Sequence, residues 1–252
     1  MSTPAKTDPT AIAVLLAIPF FFSSNAILGR ATVDSVGPWT LAFLRWTLAS
    51  LILLPVVWPG IRAHRRALTA AGLPILALGV LGMIFSGGVF YTALHYTTAT
   101  NGSLLYTVSP LVILGLERVF RGRPIGGREV AGMIVASVGV AVIVTGGSLE
   151  TLASLTLNVG DLLVLVCATT WAGYTVILRR PELQRLPVPV VFTTIAAVGA
   201  VLLAPFMATE VAVTGRFPST PAMWASVLGL AVFASICAFL SYQYAVKKLG
   251  PT

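Results

Sequence analysis

Apolar stretches of about 20 residues follow one another along the whole chain, with short basic or glycine- and proline-containing gaps between them. Such a stretch is the length of helix that crosses the hydrocarbon of a bilayer. Backbone in hydrocarbon must satisfy its own hydrogen bonds, so repeated runs of this kind leave one fold class open, an all-α polytopic membrane protein. Composition agrees: 57% of residues are hydrophobic and 10% charged, against the roughly 25% charged residues of a soluble domain. The net charge of +8 lies in short gaps between apolar runs. That is a pattern of membrane topology, and it gives no case for a nucleic-acid partner. Cys167 and Cys237 both fall inside apolar runs, which predicts free thiols.

Eight spans are predicted, over residues 11–28, 37–58, 73–97, 100–120, 129–146, 158–179, 187–208 and 221–246. Pro38, Pro74 and Pro221 stand near helix starts, where a missing N–H is harmless. Trp39 and Trp58, separated by about 28 Å of helix rise, place both ends of the second span at the interfaces. With the N-terminus in the cytoplasm, the inside segments hold Lys6, Arg62, Arg65, Arg66, Arg118, Arg121, Arg123, Arg128, Arg179, Arg180, Arg185, Lys247 and Lys248, and the outside ones only Arg30 and Arg216. This bias predicts a multi-pass protein of the cell (inner) membrane with both termini cytoplasmic.

The chain repeats itself weakly, at a spacing of about 150 residues. "NAILGR" ending at Arg30 matches "YTVILR" ending at Arg179, and Ala93 stands opposite Ala245. Spans one to three thus correspond to spans six to eight. A five-helix unit has an odd number of crossings, so its second copy is inverted, as in many transporters. Residues 1–147 form the first unit and 148–252 the second. Copies of spans four and five would run to about residue 298 on equal unit lengths, so the expectation is a ten-helix protein of which eight helices are present.

"FFFSSNAILGRATVDSVGPWTLAFLRW", "ALHYTTATNGSLLYTVSPLVILGLERVFRGRPIGGREVAGMIVASVGVAVIV" and "GDLLVLVCATTWAGYTVILRRP" resemble the EamA-type members of the drug/metabolite transporter superfamily. The resemblance covers essentially the whole chain. It implies two inverted five-helix repeats around a central cavity, and movement of small metabolites, often amino acids, commonly outward. Phe22 departs from the family, many of whose members carry tryptophan there.

Arg45 is the one cation inside a span, about 10 Å below the outer interface. An arginine at the bilayer centre costs roughly 2.5–3.5 kcal/mol on insertion scales, and less at this depth. Two readings stand: an anchor that snorkels to headgroups, or a cavity group for a substrate carboxylate or carbonyl. No acidic residue is expected at its depth, and Glu117 is expected to pair with Arg118 and Arg121. Tyr106 and Ser109 lie near Arg45's depth. Asn25, with Ser23 and Ser24, offers hydrogen bonds to substrate or to a neighbouring helix. His95, Tyr91 and Tyr96 form either an interfacial aromatic cluster or an outer gate whose histidine titrates near neutral pH. Trp171, Tyr174 and Tyr242 line an aromatic cavity or pack between helices, as does Gln243. Gly132, Ala136 and Gly139 share a face of span five that permits close helix approach. Gly87, Gly88, Pro19 and Pro110 are expected bend points.

These features lead to a secondary transporter exporting small metabolites by alternating access, with no cofactor. No GxxxxGK[ST] loop for ATP is present. A membrane-embedded enzyme is the second reading, with His64 and His95 as the only histidines and neither HExxH nor GxSxG present. A third is a chain without transport activity that assembles with a second copy.

Overall fold

The computed structural model describes residues 9–106, 108–122, 124–148, 150 and 158–249. Among these the fold is helical, without strands. The main helices are α1 (Pro9–Val36), α2 (Pro38–Ala63), α3 (Gly72–Tyr96), α4 (Ala99–Tyr106), α5 (Ser109–Arg121), α6 (Gly127–Thr145), α7 (Val159–Leu178), α8 (Val188–Thr214) and α9 (Pro221–Lys248). Six of them, α1, α2, α3, α7, α8 and α9, are long and apolar enough to cross a membrane. Two short helices, Arg65–Ala70 and Pro181–Gln184, join α2 to α3 and α7 to α8.

Local chemistry sets the helix ends. Gly37 (φ 91°) turns the chain between α1 and α2, and Pro38 opens α2. Asn158 and Asp161 form a reciprocal capping box at the start of α7. Glycines in the left-handed conformation close α5, α6 and α8 at Gly122, Gly146 and Gly215. The predicted span 100–120 is two helices. Pro110 excludes the carbonyl four residues back, which belongs to Tyr106, the last residue of α4. α1 runs past its predicted end to Val36, carrying an i,i+4 pair of Arg30 and Asp34 (3.3 Å).

Three antiparallel pairs make the bundle. The broadest interface is α2 against α8. Glu210, near the end of α8, accepts from the backbone N–H groups of Trp39 (3.3 Å) and Thr40 (2.7 Å). At the other end of the pair, a Cβ on Gly60 would stand 2.8 Å from Val190. α1 packs on α9, with Phe22 against Phe239 and Tyr242, and α7 packs on α3. There Gly82 admits the Tyr174 ring, and Gly160 lies against backbone of Ala93, Tyr96 and Thr97. The bundle therefore has a Gly37 end and a His64 end. Arg62, Arg65, Arg66, Arg179, Arg180, Arg185 and Lys247 gather at the second.

α3 and α9 each contain π-helical turns, at Gly79–Val89 and Leu230–Cys237. Such turns leave carbonyls and side chains out of α register, and the first of them contains Gly87 and Gly88, two of the expected bend points. The face of α6 behaves differently from its expectation. Among the described residues, nothing lies within 4 Å of a Cβ placed on Gly132 or Gly139. α6 packs chiefly on α4 and α5 and leaves Val135, Val142 and Ile143 exposed.

Glu210 was not singled out by sequence, because a carboxylate at a helix end is ordinary. Its two bonds satisfy N–H groups that helix geometry leaves without intrahelical partners. Glu210→Ala is expected to cost about 1–2 kcal/mol, read as a lower Tm of the detergent-solubilised protein. An unchanged Tm would remove this cap from the forces joining α2 to α8.

Candidate functional site

A cavity of about 490 Å³ lies between α1, α2, α3, α4, α7 and α9. Ligand sites commonly occupy this range of volume. At the Gly37 end its lining includes the exposed Arg30 and the buried Leu94. Its deep wall is aromatic: Phe22, Phe90, Tyr106, Trp171, Phe239 and Tyr242. These rings hold one another edge to face. Phe22 meets Trp171 at 5.7 Å, Phe90 meets Tyr106 at 5.8 Å and Trp171 meets Phe239 at 5.4 Å between centroids.

Arg45 enters this wall from α2 and is 1% exposed. It does not snorkel. Its Nη1 donates to Asn25 Oδ1 (2.5 Å) and to the Tyr91 hydroxyl (2.6 Å). Tyr91 in turn donates to Asn25 Oδ1 at 2.6 Å. The orientation of Asn25 follows from chemistry, since a guanidinium has no acceptor and the amide must turn its oxygen toward it. The Trp46 ring lies under the guanidinium carbon at 4.2 Å, a cation–π contact.

The remaining donors of Arg45 matter most. Nε has no hydrogen-bond partner, and both bonds to described residues leave from Nη1. Nε and Nη2 form the edge of the guanidinium that accepts a carboxylate side-on. No described carboxylate forms an ion pair with Arg45. A buried charge in that state is costly, so a group with two well-placed acceptors would be bound strongly beside it.

Below the cavity, toward the His64 end, polar ties cross between helices. Tyr174 stacks on Trp171 at 5.1 Å and accepts from Gln243 Nε2 at 2.9 Å. Thr175 and Tyr242 share a hydrogen bond of 2.6 Å. Glu117, 1% exposed, pairs with Arg179 of α7 at 2.9 Å. Arg179 joins the expected partners Arg118 and Arg121 because the ends of α5 and α7 meet there, and the side chain of Arg121 lies outside the described residues.

Of the residues singled out by sequence, Pro19, Ser23, Asn25, Arg45, Tyr106, Trp171 and Tyr242 line the cavity. Tyr91 stands behind Arg45 as its fully buried hydrogen-bond partner. Tyr174 lies below Trp171, outside the lining. Ser109 is buried elsewhere, at the start of α5. His95 is exposed and meets Asp34 at 3.0 Å, so it sits at the rim and not in the wall. Sequence reading passed over Phe90, Phe239 and Ser86, which line the cavity. Apolar residues in an apolar run carry no signal of which face they will occupy. Among the described residues, no three His, Cys, Asp or Glu side chains could share a metal ion.

Comparison with known proteins gives a consistent picture. The chain matches the EamA-like transporter family over residues 9–145 and 158–252. It is 26% identical over 239 residues to the Uncharacterized transporter YyaM of Bacillus subtilis (strain 168), covering 94% of this chain and 77% of that protein. It is 30% identical over 241 residues to an Uncharacterized transporter of Archaeoglobus fulgidus, covering 95% and 81%. The Probable terminal-alkyne amino-acid exporter of Streptantibioticus cattleyicolor is 30% identical over 225 residues, covering 88% and 71%. A crystal structure superposes with a TM-score of 0.69 at 20% identity, over 96% of this chain and 80% of that one, which speaks to fold alone.

Proposed function

The chain belongs to the EamA-like transporter family and is a multi-pass membrane transporter, and we propose that it exports small metabolites, amino acids or related compounds, by alternating access through the cavity at Arg45. The observation that carries this reading is a buried arginine that lines a cavity of ligand size and whose Nε has no hydrogen-bond partner. The exporter from Streptantibioticus supports the direction and the substrate class. The cations gathered at the His64 end support a cytoplasmic placement of that end. The cavity then faces outside, closed from the cytoplasm by the ties at Tyr174–Gln243, Thr175–Tyr242 and Glu117–Arg179.

An inverted repeat suits this mechanism, because the same contacts can form alternately on the two sides. Several features support it. The π-helical turns of α3 and α9 occupy matching places. Pairing α1 with α9 mirrors pairing α7 with α3. Aligning Arg30 with Arg179 and Ala93 with Ala245 sets Asn25 opposite Tyr174 and Tyr91 opposite Gln243. The Tyr91–Asn25 and Gln243–Tyr174 hydrogen bonds are then equivalent, one on each side of the cavity. On this reading α4 with α5, and α6, are the fourth and fifth crossings of an eight-helix chain in the cell membrane.

Exchange in proteoliposomes tests the proposal. Vesicles loaded with an unlabelled metabolite should take up its labelled form faster than unloaded vesicles, for at least one member of a panel of amino acids and their keto and deaminated analogues. A panel without any such acceleration, in vesicles containing folded protein, would count against a carrier of this class.

A further inference from the structure

The charge pattern of the cavity separates two kinds of small metabolite that share a carboxylate. Arg45 and Arg30 both contribute to the lining, and no described aspartate or glutamate does. The nearby carboxylates are already engaged. Asp34, at the rim, is shared by Arg30 and His95. Asp161 is fully buried and accepts from Thr97, from Asn101 (3.3 Å) and from the backbone of Asn158 (2.9 Å). Glu210 caps α2, and Glu117 pairs with Arg179 at the far end.

The neutral groups around Arg45 follow the same pattern. Asn25 Oδ1 already accepts two hydrogen bonds, from Arg45 and Tyr91. The Tyr91 hydroxyl accepts from Arg45 and donates to Asn25. What remains near the guanidinium is donors: Nε and Nη2 of Arg45, and Nδ2 of Asn25, which bonds to no described residue. The α-ammonium of an amino acid sits one carbon from its carboxylate. A carboxylate on Arg45 therefore brings the ammonium beside a cation, where the acceptors among the described lining side chains are the uncharged hydroxyls of Ser23, Ser86, Tyr106 and Tyr242 and no carboxylate balances its charge. The aromatic wall can receive an apolar body, so charge is what discriminates.

Resting on the reading of this cavity as the transport site, we infer that it takes an amphipathic carboxylate with no cationic group beside the carboxyl. The preferred substrate is a net anion with an aromatic or branched apolar body, ahead of the zwitterionic amino acid of the same shape. This is a narrower class than amino acids at large.

Three ligands with one phenylethyl skeleton test it: 3-phenylpropanoate (anion), phenylalanine (zwitterion) and phenethylamine (cation). Each is titrated by calorimetry into the protein purified from its own membranes, and into Arg45→Gln and Arg45→Lys. The expected order is 3-phenylpropanoate at least tenfold tighter than phenylalanine, with no binding of phenethylamine. Arg45→Lys should weaken the anion while keeping the order, and Arg45→Gln should erase the order. Phenylalanine binding as tightly as 3-phenylpropanoate, or more tightly, overturns this inference and leaves the cavity as the site. An order unchanged in folded Arg45→Gln removes Arg45 as its cause and overturns it likewise. Binding of none of the three by the folded protein overturns the cavity reading and the inference together.

Discussion

Arg45→Gln is expected to lower the initial rate of transport at least tenfold while the protein still inserts and folds. Hydrogen bonds to a charged group contribute about 1.5–3 kcal/mol each, and 1.4 kcal/mol is tenfold in affinity. Loss of the Nε and Nη2 donors removes two such bonds to a carboxylate. The consequence for stability has the opposite sign. Arg45 is buried, bonded only to neutral partners and without a described carboxylate. Removing an uncompensated charge relieves its desolvation cost, and the Tyr91–Asn25 bond can persist without it. The measurement is transport rate per inserted protein together with Tm in detergent. A rate loss with an unchanged or raised Tm assigns Arg45 to the substrate. A rate loss with a Tm fall of many degrees makes it a structural anchor, and an unchanged rate removes it from the site.

The largest effect on folding is expected at Gly160. A Cβ there would stand 2.7 Å from the backbone nitrogen of Thr97, 2.8 Å from the carbonyl oxygen of Ala93 and 2.8 Å from the carbonyl carbon of Tyr96. All three are main-chain atoms, so no rotamer change can make room. Gly160→Ala must push α7 away from the end of α3. Asp161, the next residue, then loses its hold on Thr97 and Asn101 and becomes a buried carboxylate short of donors. The strain alone costs about 1–3 kcal/mol, and the lost bonds add to it. The readout is folded yield and Tm, with Gly132→Ala as the control. Nothing described lies within 4 Å of a Cβ at Gly132, so that variant should stay within about 0.5 kcal/mol of the parent. Equal behaviour of the two variants would refute the close approach of α7 to α3.

Much of the helix plan was legible in advance, because hydrocarbon thickness imposes a length that apolar runs must meet. Spans two, three, six, seven and eight stand where the runs placed them. The fourth failed as a single helix for a local reason already visible in the chain, Pro110. The site was legible in part. Arg45 stood out because a charge in a span is costly, Tyr106 because it lies near the depth of Arg45, and Trp171 and Tyr242 as aromatic residues that either line a cavity or pack between helices. Their neighbours Phe90 and Phe239 were not, since lipid-facing and cavity-facing phenylalanines look alike in a run of apolar residues. Glu117 was expected to act with its sequence neighbours Arg118 and Arg121, and the meeting of helix ends brings it a partner from a distant segment, Arg179.

By itself, then, the sequence determined that the chain is helical, where most of its helices run, that its cations gather in one set of connecting segments, and that one arginine lies within a span. These follow from the bilayer acting on each segment separately. Tertiary structure alone decided which side chains meet: that Tyr91 and Asn25 occupy Nη1 of Arg45, that Nε and Nη2 are left over, and that six rings close around them. The physical reason is register. Helix–helix contacts are fixed by shape, by where Gly82 and Gly160 let a ring or a backbone approach and where π-helical turns rotate a face. An apolar run does not encode that choice by composition.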